Sequence, residues 1–293
     1  MMQLPEYPFS PRCFRHAHGA NQRYLDEGAG PVVVMLHGNP TWSYYYRHLV
    51  LALRGSHRCI VPDHIGMGWS DKPDDAHYTY SLPQRVADLD ALIASLDLGD
   101  RITLVVHDWG GLIGFAWACR YPERVARLVI LNTAAFPLPD GVKLPALLRA
   151  SRGATLGPLL LQRLNALARG ATRLAVKHAM PREVRAAYLA PYGTAADRLA
   201  ILRFVQDIAV SPTDRGFELA REIGAKLPQF ATRPALVGWG MADPVFDARF
   251  LGEFRRALPA AEVHEYAGCG HYVLEDARDQ LIPDITRFLA RTA

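Results

Sequence analysis

Val105-Val106-His107-Asp108-Trp109-Gly110-Gly111 sets a carboxylate between an apolar run and a pair of glycines. An apolar, β-branched run from Ile102 to Val106 leads into it, and Gly110 to Arg120 reads as a helix with Pro122 beyond its end. A buried strand that turns so sharply into a helix lifts one side chain above the carboxyl edge of a sheet. The residue at that tip is Asp108, and the two glycines after it let the helix pack close to the turn. A carboxylate in this place can attack carbon directly and form an ester. The helix N-terminus behind it favours the ionised form. Taken alone, Asp108 reads equally well as a helix N-cap, so the surrounding segments must decide.

Pro31 to Leu36 (PVVVML) is a continuous apolar run, the signature of a strand buried on both faces, and it ends at His37-Gly38-Asn39-Pro40. Cys59 to Pro62 is a second short strand, followed by the loop Asp63 to Ser70. Ser81 to Leu96 carries Leu82, Val86, Leu89, Leu92, Ile93 and Leu96 at helical spacing. Leu128 to Asn132 is another buried strand, and Arg12 to Glu27 reads as two strands around a turn at 18–21. Strand, loop, helix and strand in repetition predict an α/β fold with a mostly parallel sheet. From Ala134 to about Leu227 no buried β run occurs, only helical stretches broken by prolines. The α/β rhythm resumes at Pro234 to Trp239 and Glu262 to Tyr266, and an amphipathic helix from about Asp279 to Ala290 follows. The expected organisation is a core over 1–133, an inserted helical cap over 134–227 and the rest of the core over 228–293.

The chain has 293 residues, half of them apolar and 21% charged, with a formal charge of +4. That composition excludes fibrous, disordered and disulfide-stapled classes, and the charge is too small to suggest nucleic-acid binding. Cys13, Cys59, Cys119 and Cys269 lie far apart with no C-x-x-C spacing, which argues against a zinc site and predicts free thiols in a reducing compartment. The N-terminus lacks the apolar stretch of a signal peptide and no run approaches the length of a membrane span, so a cytoplasmic location is expected. No cofactor is implied: phosphate loop, dinucleotide fingerprint and metal-spaced His/Cys cluster are all missing from the sequence.

Four further residues stand at predicted strand ends. Asn39, in the loop after PVVVML, offers a side-chain amide, and that loop supplies an anion-hole donor in folds with such an elbow. Trp109 offers an indole N–H, a donor with no acceptor. Each also reads as a turn or core residue. His271, between glycines after the last strand, suits a general base. Asp243, after PALVGW, could orient its imidazole. The order nucleophile, acid, histidine is that of the α/β-hydrolase fold.

The segments HGNPTWSYYYR (37–47), DHIGMGWSDKP (63–73), VVHDWGGLIGF (105–115), WGMADPVF (239–246) and GHYVLED (270–276) resemble the haloalkane dehalogenase branch of the α/β-hydrolases. The resemblance implies Asp108 as nucleophile, His271 as base, Asp243 as acid, and Asn39 and Trp109 as anion-stabilising donors. A dehalogenase subgroup carries a Glu acid after the strand preceding the cap, but this chain has Leu131-Asn132-Thr133-Ala134 there. Within that branch, HGNPTWSYYYRHLV (37–50), IVPDHIGMGWSDKPDD (60–75), NTAAFPLP (132–139) and RFVQDI (203–208) are most similar to the β-lactone decarboxylases of bacterial long-chain olefin biosynthesis. This implies a lyase acting on a cis-3-alkyl-4-alkyloxetan-2-one, with a haloalkane dehalogenase as the alternative. An epoxide hydrolase is a third reading, for which Tyr188 and Tyr192 would have to protonate the epoxide oxygen. A non-catalytic binder with the same fold is the fourth.

Phe136, Phe204 and Phe246 are candidate pocket residues. The cap leucines, among them Leu147, Leu148, Leu159, Leu160, Leu161, Leu164 and Leu167, either pack the cap onto the core or line an alkyl channel. The charge is uneven: 134–227 carries 14 Lys/Arg against 7 Asp/Glu, a net +7, leaving −3 elsewhere. This basic face is either a solvated helix surface or a contact for an anionic membrane or another olefin-pathway enzyme.

Overall fold

The computed structural model describes residues 4–292, and their β-branched runs assemble into an eight-stranded sheet. Its strands are β1 (Arg12–Arg15), β2 (Asn21–Glu27), β3 (Val32–Leu36), β4 (Arg58–Pro62), β5 (Ile102–Asp108), β6 (Val125–Thr133), β7 (Ala235–Gly240) and β8 (Glu262–Tyr266). They lie in the order β1-β2-β4-β3-β5-β6-β7-β8. Strands β3 to β8 pair in parallel, and β2 runs antiparallel to β1 and β4. Every residue of β3 and β5 is buried, as strands covered on both faces require, including the polar Thr103, His107 and Asp108 of β5.

Helices α1 (Arg47–Leu53), α2 (Leu82–Ser95) and α3 (Trp109–Ala118) belong to the first half of the sheet. The Ser81 hydroxyl accepts the Gln84 amide and Pro83 sits in the first turn of α2, which fixes where that helix begins. Between β6 and β7 come α4 (Ala146–Ser151), a π-helical turn (Pro158–Arg163), α5 (Ala166–Leu174), α6 (Arg182–Leu189), α7 (Leu199–Gln206) and α8 (Phe217–Lys226). After β7 follow α9 (Ala248–Ala257), α10 (Val273–Asp276) and α11 (Arg278–Arg291). The α7 helix reaches the carboxyl edge of the sheet, where the Ile201 carbonyl accepts from the Asn39 side chain and Phe204 packs on Trp109.

Several boundaries differ from the sequence reading, and two of them bear on the site. Strand β5 continues through His107 to Asp108, and β6 starts at Val125 rather than Leu128. Register irregularities at Ile102/Thr103 and His107/Asp108 let these two strands stay paired beyond the apolar stretch that marks them. The cap leucines divide. Leu161 is fully buried with Leu202 and Val205 in a small core of its own, whereas Leu159 and Leu164 are exposed.

Candidate active site

The elbow is a backbone event before it is a chemical one. Asp108 ends β5 with φ 51° and ψ −126°, a conformation that non-glycine residues rarely adopt. Its neighbours hold it there. The Thr133 hydroxyl at the end of β6 donates to the Asp108 carbonyl. A Cβ at Gly110 would lie 2.0 Å from the Leu36 carbonyl oxygen, so only glycine lets α3 start so close to β3. The Asp108 side chain makes no cap bond to α3, which disposes of the N-cap reading. Its Oδ1 instead accepts the backbone N–H of Asn39 at 2.7 Å.

Asp243 and His271 arrive from β7 and from the loop after β8. His271 Nδ1 lies 2.8 Å from Asp243 Oδ2, and its Nε2 lies 3.5 Å from Asp108 Oδ2. All three side chains are buried. Burial works against a charged imidazole, but Asp243 and Asp108 outweigh it and push the His271 pKa up to about 10. Burial likewise works against the Asp108 carboxylate, and the His271 hydrogen bond and charge, with the Asn39 N–H, hold its pKa below the ordinary value. The resting pair is therefore imidazolium and carboxylate.

Two residues without an assigned role in the sequence reading hold this pair in place. Asn132 Nδ2 donates to Asp243 Oδ2 at 2.9 Å and to the Gly240 carbonyl, while its Oδ1 accepts the Gly240 N–H at 2.8 Å. Asp243 Oδ1 takes the Val245 N–H at 2.7 Å. His107 Nε2 lies 2.9 Å from the His271 carbonyl and its ring stacks between Tyr45 and His271. Burial and the neighbouring imidazolium push His107 down to about 3, so it is neutral and donates through Nε2. The signal in the sequence was a polar residue inside an apolar strand, since His in LVVHD and Asn in LVILN must each find a buried partner.

Asn39, Asp108, Trp109 and His271 converge on one cavity of about 470 Å³. The Asn39 amide spends one N–H on the Ile201 carbonyl at 3.1 Å. The wall is otherwise mostly apolar, with Phe136, Leu147, Leu148, Leu167, Phe246 and Phe250 among its residues. Phe246 lies face to face with the His271 ring at 5.5 Å. Phe204 is a correction: it does not line the cavity. Its fully buried ring backs the Trp109 indole at 5.2 Å, with the Arg85 guanidinium 3.7 Å over its face. Helix α7 turns that residue toward the core, so it supports Trp109 from behind.

Tyr188 and Tyr192 are outside the cavity wall as well. The Tyr188 hydroxyl donates to Glu275, and the Tyr192 hydroxyl donates to the Thr41 carbonyl and accepts the Gly68 N–H. The four cysteines are free. Away from the site, His16, His18 and Asp88 gather within 4.8 Å, but the two imidazoles stack with an interplanar angle of 6°. Parallel stacked rings cannot aim in-plane lone pairs at one ion. The cluster ties the β1–β2 turn to α2 by hydrogen bonds instead.

A carboxylate on a strained elbow, an imidazole held by a second acid, and Asn39 and Trp109 beside them in the wall of a mostly apolar cavity form the site at the carboxyl edge of this α/β sheet. The chain belongs to the alpha/beta hydrolase fold family, whose model matches residues 31–277. Among its relatives is the cis-3-alkyl-4-alkyloxetan-2-one decarboxylase of Shewanella oneidensis, 52% identical over 286 residues, covering 97% of this chain and 90% of that one. The decarboxylase of the same name from Xanthomonas campestris is 50% identical, covering 99% of each chain. The fold is also similar to the crystal structure of a haloalkane dehalogenase from Bradyrhizobium elkani, with TM-score 0.85, 27% identity and coverage of 97% of this chain and 98% of that one.

Proposed function

We propose that the protein is a β-lactone decarboxylase that converts a cis-3-alkyl-4-alkyloxetan-2-one to a cis-alkene and carbon dioxide, a step of long-chain olefin biosynthesis. The observation that carries this reading is identity of 50–52% along nearly the whole chain to two decarboxylases of that substrate. A carboxylate nucleophile in an apolar cavity suits it. In this reading 134–227 is the cap that closes the cavity over a core formed by 1–133 and 228–293.

Asp108 Oδ2 attacks C4 of the ring, forming a C–O bond as the C4–O ring bond breaks. The ring oxygen departs as a carboxylate on C3, and the Asn39 amide and Trp109 indole hold that anion. The C3–carboxylate bond then breaks, its electron pair becomes the C3=C4 double bond, and Asp108 leaves C4 with the electrons of its ester bond. Inversion at C4 followed by anti elimination keeps the cis relation. No proton is transferred and Asp108 returns as a carboxylate, so the cycle fits an imidazolium at His271. That residue balances the charge of Asp108, and Asp243 balances that of His271.

Trapping the intermediate tests the scheme. Acid quench and peptide mass spectrometry should find Asp108 bonded through C4, and an acyl adduct through the lactone carbonyl would refute displacement at C4. Haloalkane dehalogenation is the second reading, favoured by the pairing of Asn39 and Trp109 with His271 and Asp243; it requires His271 to lose its proton before it can activate water for ester hydrolysis. Offering the lactone and a long haloalkane side by side separates the two. Halide release without alkene from the lactone overturns the first reading. The positions of Tyr188 and Tyr192 disfavour an epoxide hydrolase, and loss of turnover in Asp108→Ala would exclude a pure binder.

A further inference from the structure

The cap carries a surface feature that the chemistry does not use. From Gly141 to Arg182 the chain has eight Lys/Arg and no Asp/Glu. Lys143, Arg149, Arg163, Arg169, Arg173 and Lys177 are exposed, and none forms an ion pair among the described residues. Elsewhere on the surface Arg221, Arg249, Arg255 and Arg256 each pair with a carboxylate. The same segment exposes large apolar side chains: Leu156, Leu159, Leu164 and Leu174 are 46–71% accessible, Leu174 the most. The π-helical turn bearing Leu159 packs against α4 and α5, so these leucines and arginines belong to one packed unit.

This unit also forms the mouth of the catalytic cavity. Lys143, Leu174 and Lys177 line the cavity and are exposed, which places them at its rim, and the half-buried Leu144 and Leu147 continue the rim inward. Isolated surface leucines need no explanation, but four of them in one segment of unpaired cations, with Leu174 at the opening of an apolar cavity, do. Apolar side chains flanked by Lys and Arg suit the headgroup boundary of an anionic bilayer, where leucines enter the acyl region and cations meet phosphates.

We propose that the cavity rim, carried by α4, the π-helical turn and α5, docks on an anionic lipid surface, so that an apolar substrate passes from the bilayer into the cavity. Only the purpose of docking rests on the proposed function; the docking itself does not.

The experiment is co-sedimentation of the full chain with vesicles of phosphatidylcholine alone or mixed with phosphatidylglycerol, with no lactone present. Binding is expected to the anionic vesicles alone and to fade as salt rises from about 50 to 500 mM. Reversal of Arg163, Arg169 and Arg173 to Glu should lower the partition coefficient at least about tenfold, while turnover of a short, water-soluble lactone stays unchanged. Equal reversal of Arg249, Arg255 and Arg256 on and near α9 is the control for net charge and should leave binding within about twofold. Leu174→Asp, checked for folding by thermal denaturation, should weaken binding in its own right. Absence of binding to anionic vesicles, or equal loss in both charge variants, overturns the proposal. So does a vesicle-free shift in sedimentation velocity abolished by the rim variant, which would make this face a protein interface. Vesicle binding without alkene formation would refute the lactone reading and leave the docking standing.

Discussion

Replacing His271 with Gln should move the acid limb of catalysis without abolishing it. In the wild type the imidazolium lies 3.5 Å from Asp108 Oδ2, a separation worth about 5 kcal/mol at an effective dielectric near 20. At about 1.4 kcal/mol per pH unit, that sets a ceiling of roughly three and a half units on what His271 contributes to the acidity of Asp108. Glutamine keeps a donor but removes the charge. Burial, which raises the Asp108 pKa, is then opposed mainly by the Asn39 N–H. The pH dependence of kcat/KM reports the free enzyme. For alkene formation from a cis-dialkyl oxetanone, followed by gas chromatography, the wild type should be flat between about pH 5 and 9. His271→Gln should show an acid limb shifted up by between one and about three units, with a plateau within about tenfold of wild type. A limb that stays within half a unit would refute the charge argument. Loss of alkene at every pH, with lactone still bound, would show that His271 moves a proton in the reaction.

Three other perturbations follow from the same geometry. The His271 pKa is raised in the fold to about 10, so its stabilisation is fully present below an unfolded value of about 6.5 and is lost as pH rises toward 10; urea unfolding at pH 7 and 9.5 should show the wild type losing more stability than His271→Gln. In the proposed reaction Asn39 and Trp109 each donate to the departing carboxylate, so Asn39→Ala and Trp109→Phe should each lower kcat by about 10²–10³ in single-turnover assays. Asn132→Leu removes three hydrogen bonds, one to Asp243 and two to Gly240, and should cost about 1–3 kcal/mol in denaturant titration, with a fall in kcat that Asn132→Gln partly restores.

The parallel sheet was legible because strands covered on both faces must be apolar throughout, and PVVVML and ITLVV leave no other reading. Asp108 and Asp243 were legible as positions because one ends and the other follows such a strand, and His271 because it stands beside a glycine on the loop after the last strand. Their contact was not legible, since it depends on how β5, β7 and the loop after β8 are brought together. Phe204 shows the limit most clearly. A phenylalanine in a cap helix has the same composition whether it faces the cavity or the back of Trp109, and only the rotation of α7 separates the two. The leucines of the cap were open for the same reason, and the structure divides them among cavity wall, interior and surface.

Asn132 bears on how such a site changes over evolutionary time. It stands at the end of β6, beside β7, and its amide touches the very oxygen of Asp243 that holds His271. A carboxylate in its place would face Asp243 at hydrogen-bond distance, where two negative charges cannot both persist and one must keep a proton. Carboxylates at 132 and 243 therefore cannot both be ionised in this packing. A lineage moving the acid from one strand end to the other must pass through a form with a shared proton or a form with no acid. An amide at position 132 marks the side of that crossing on which this chain rests.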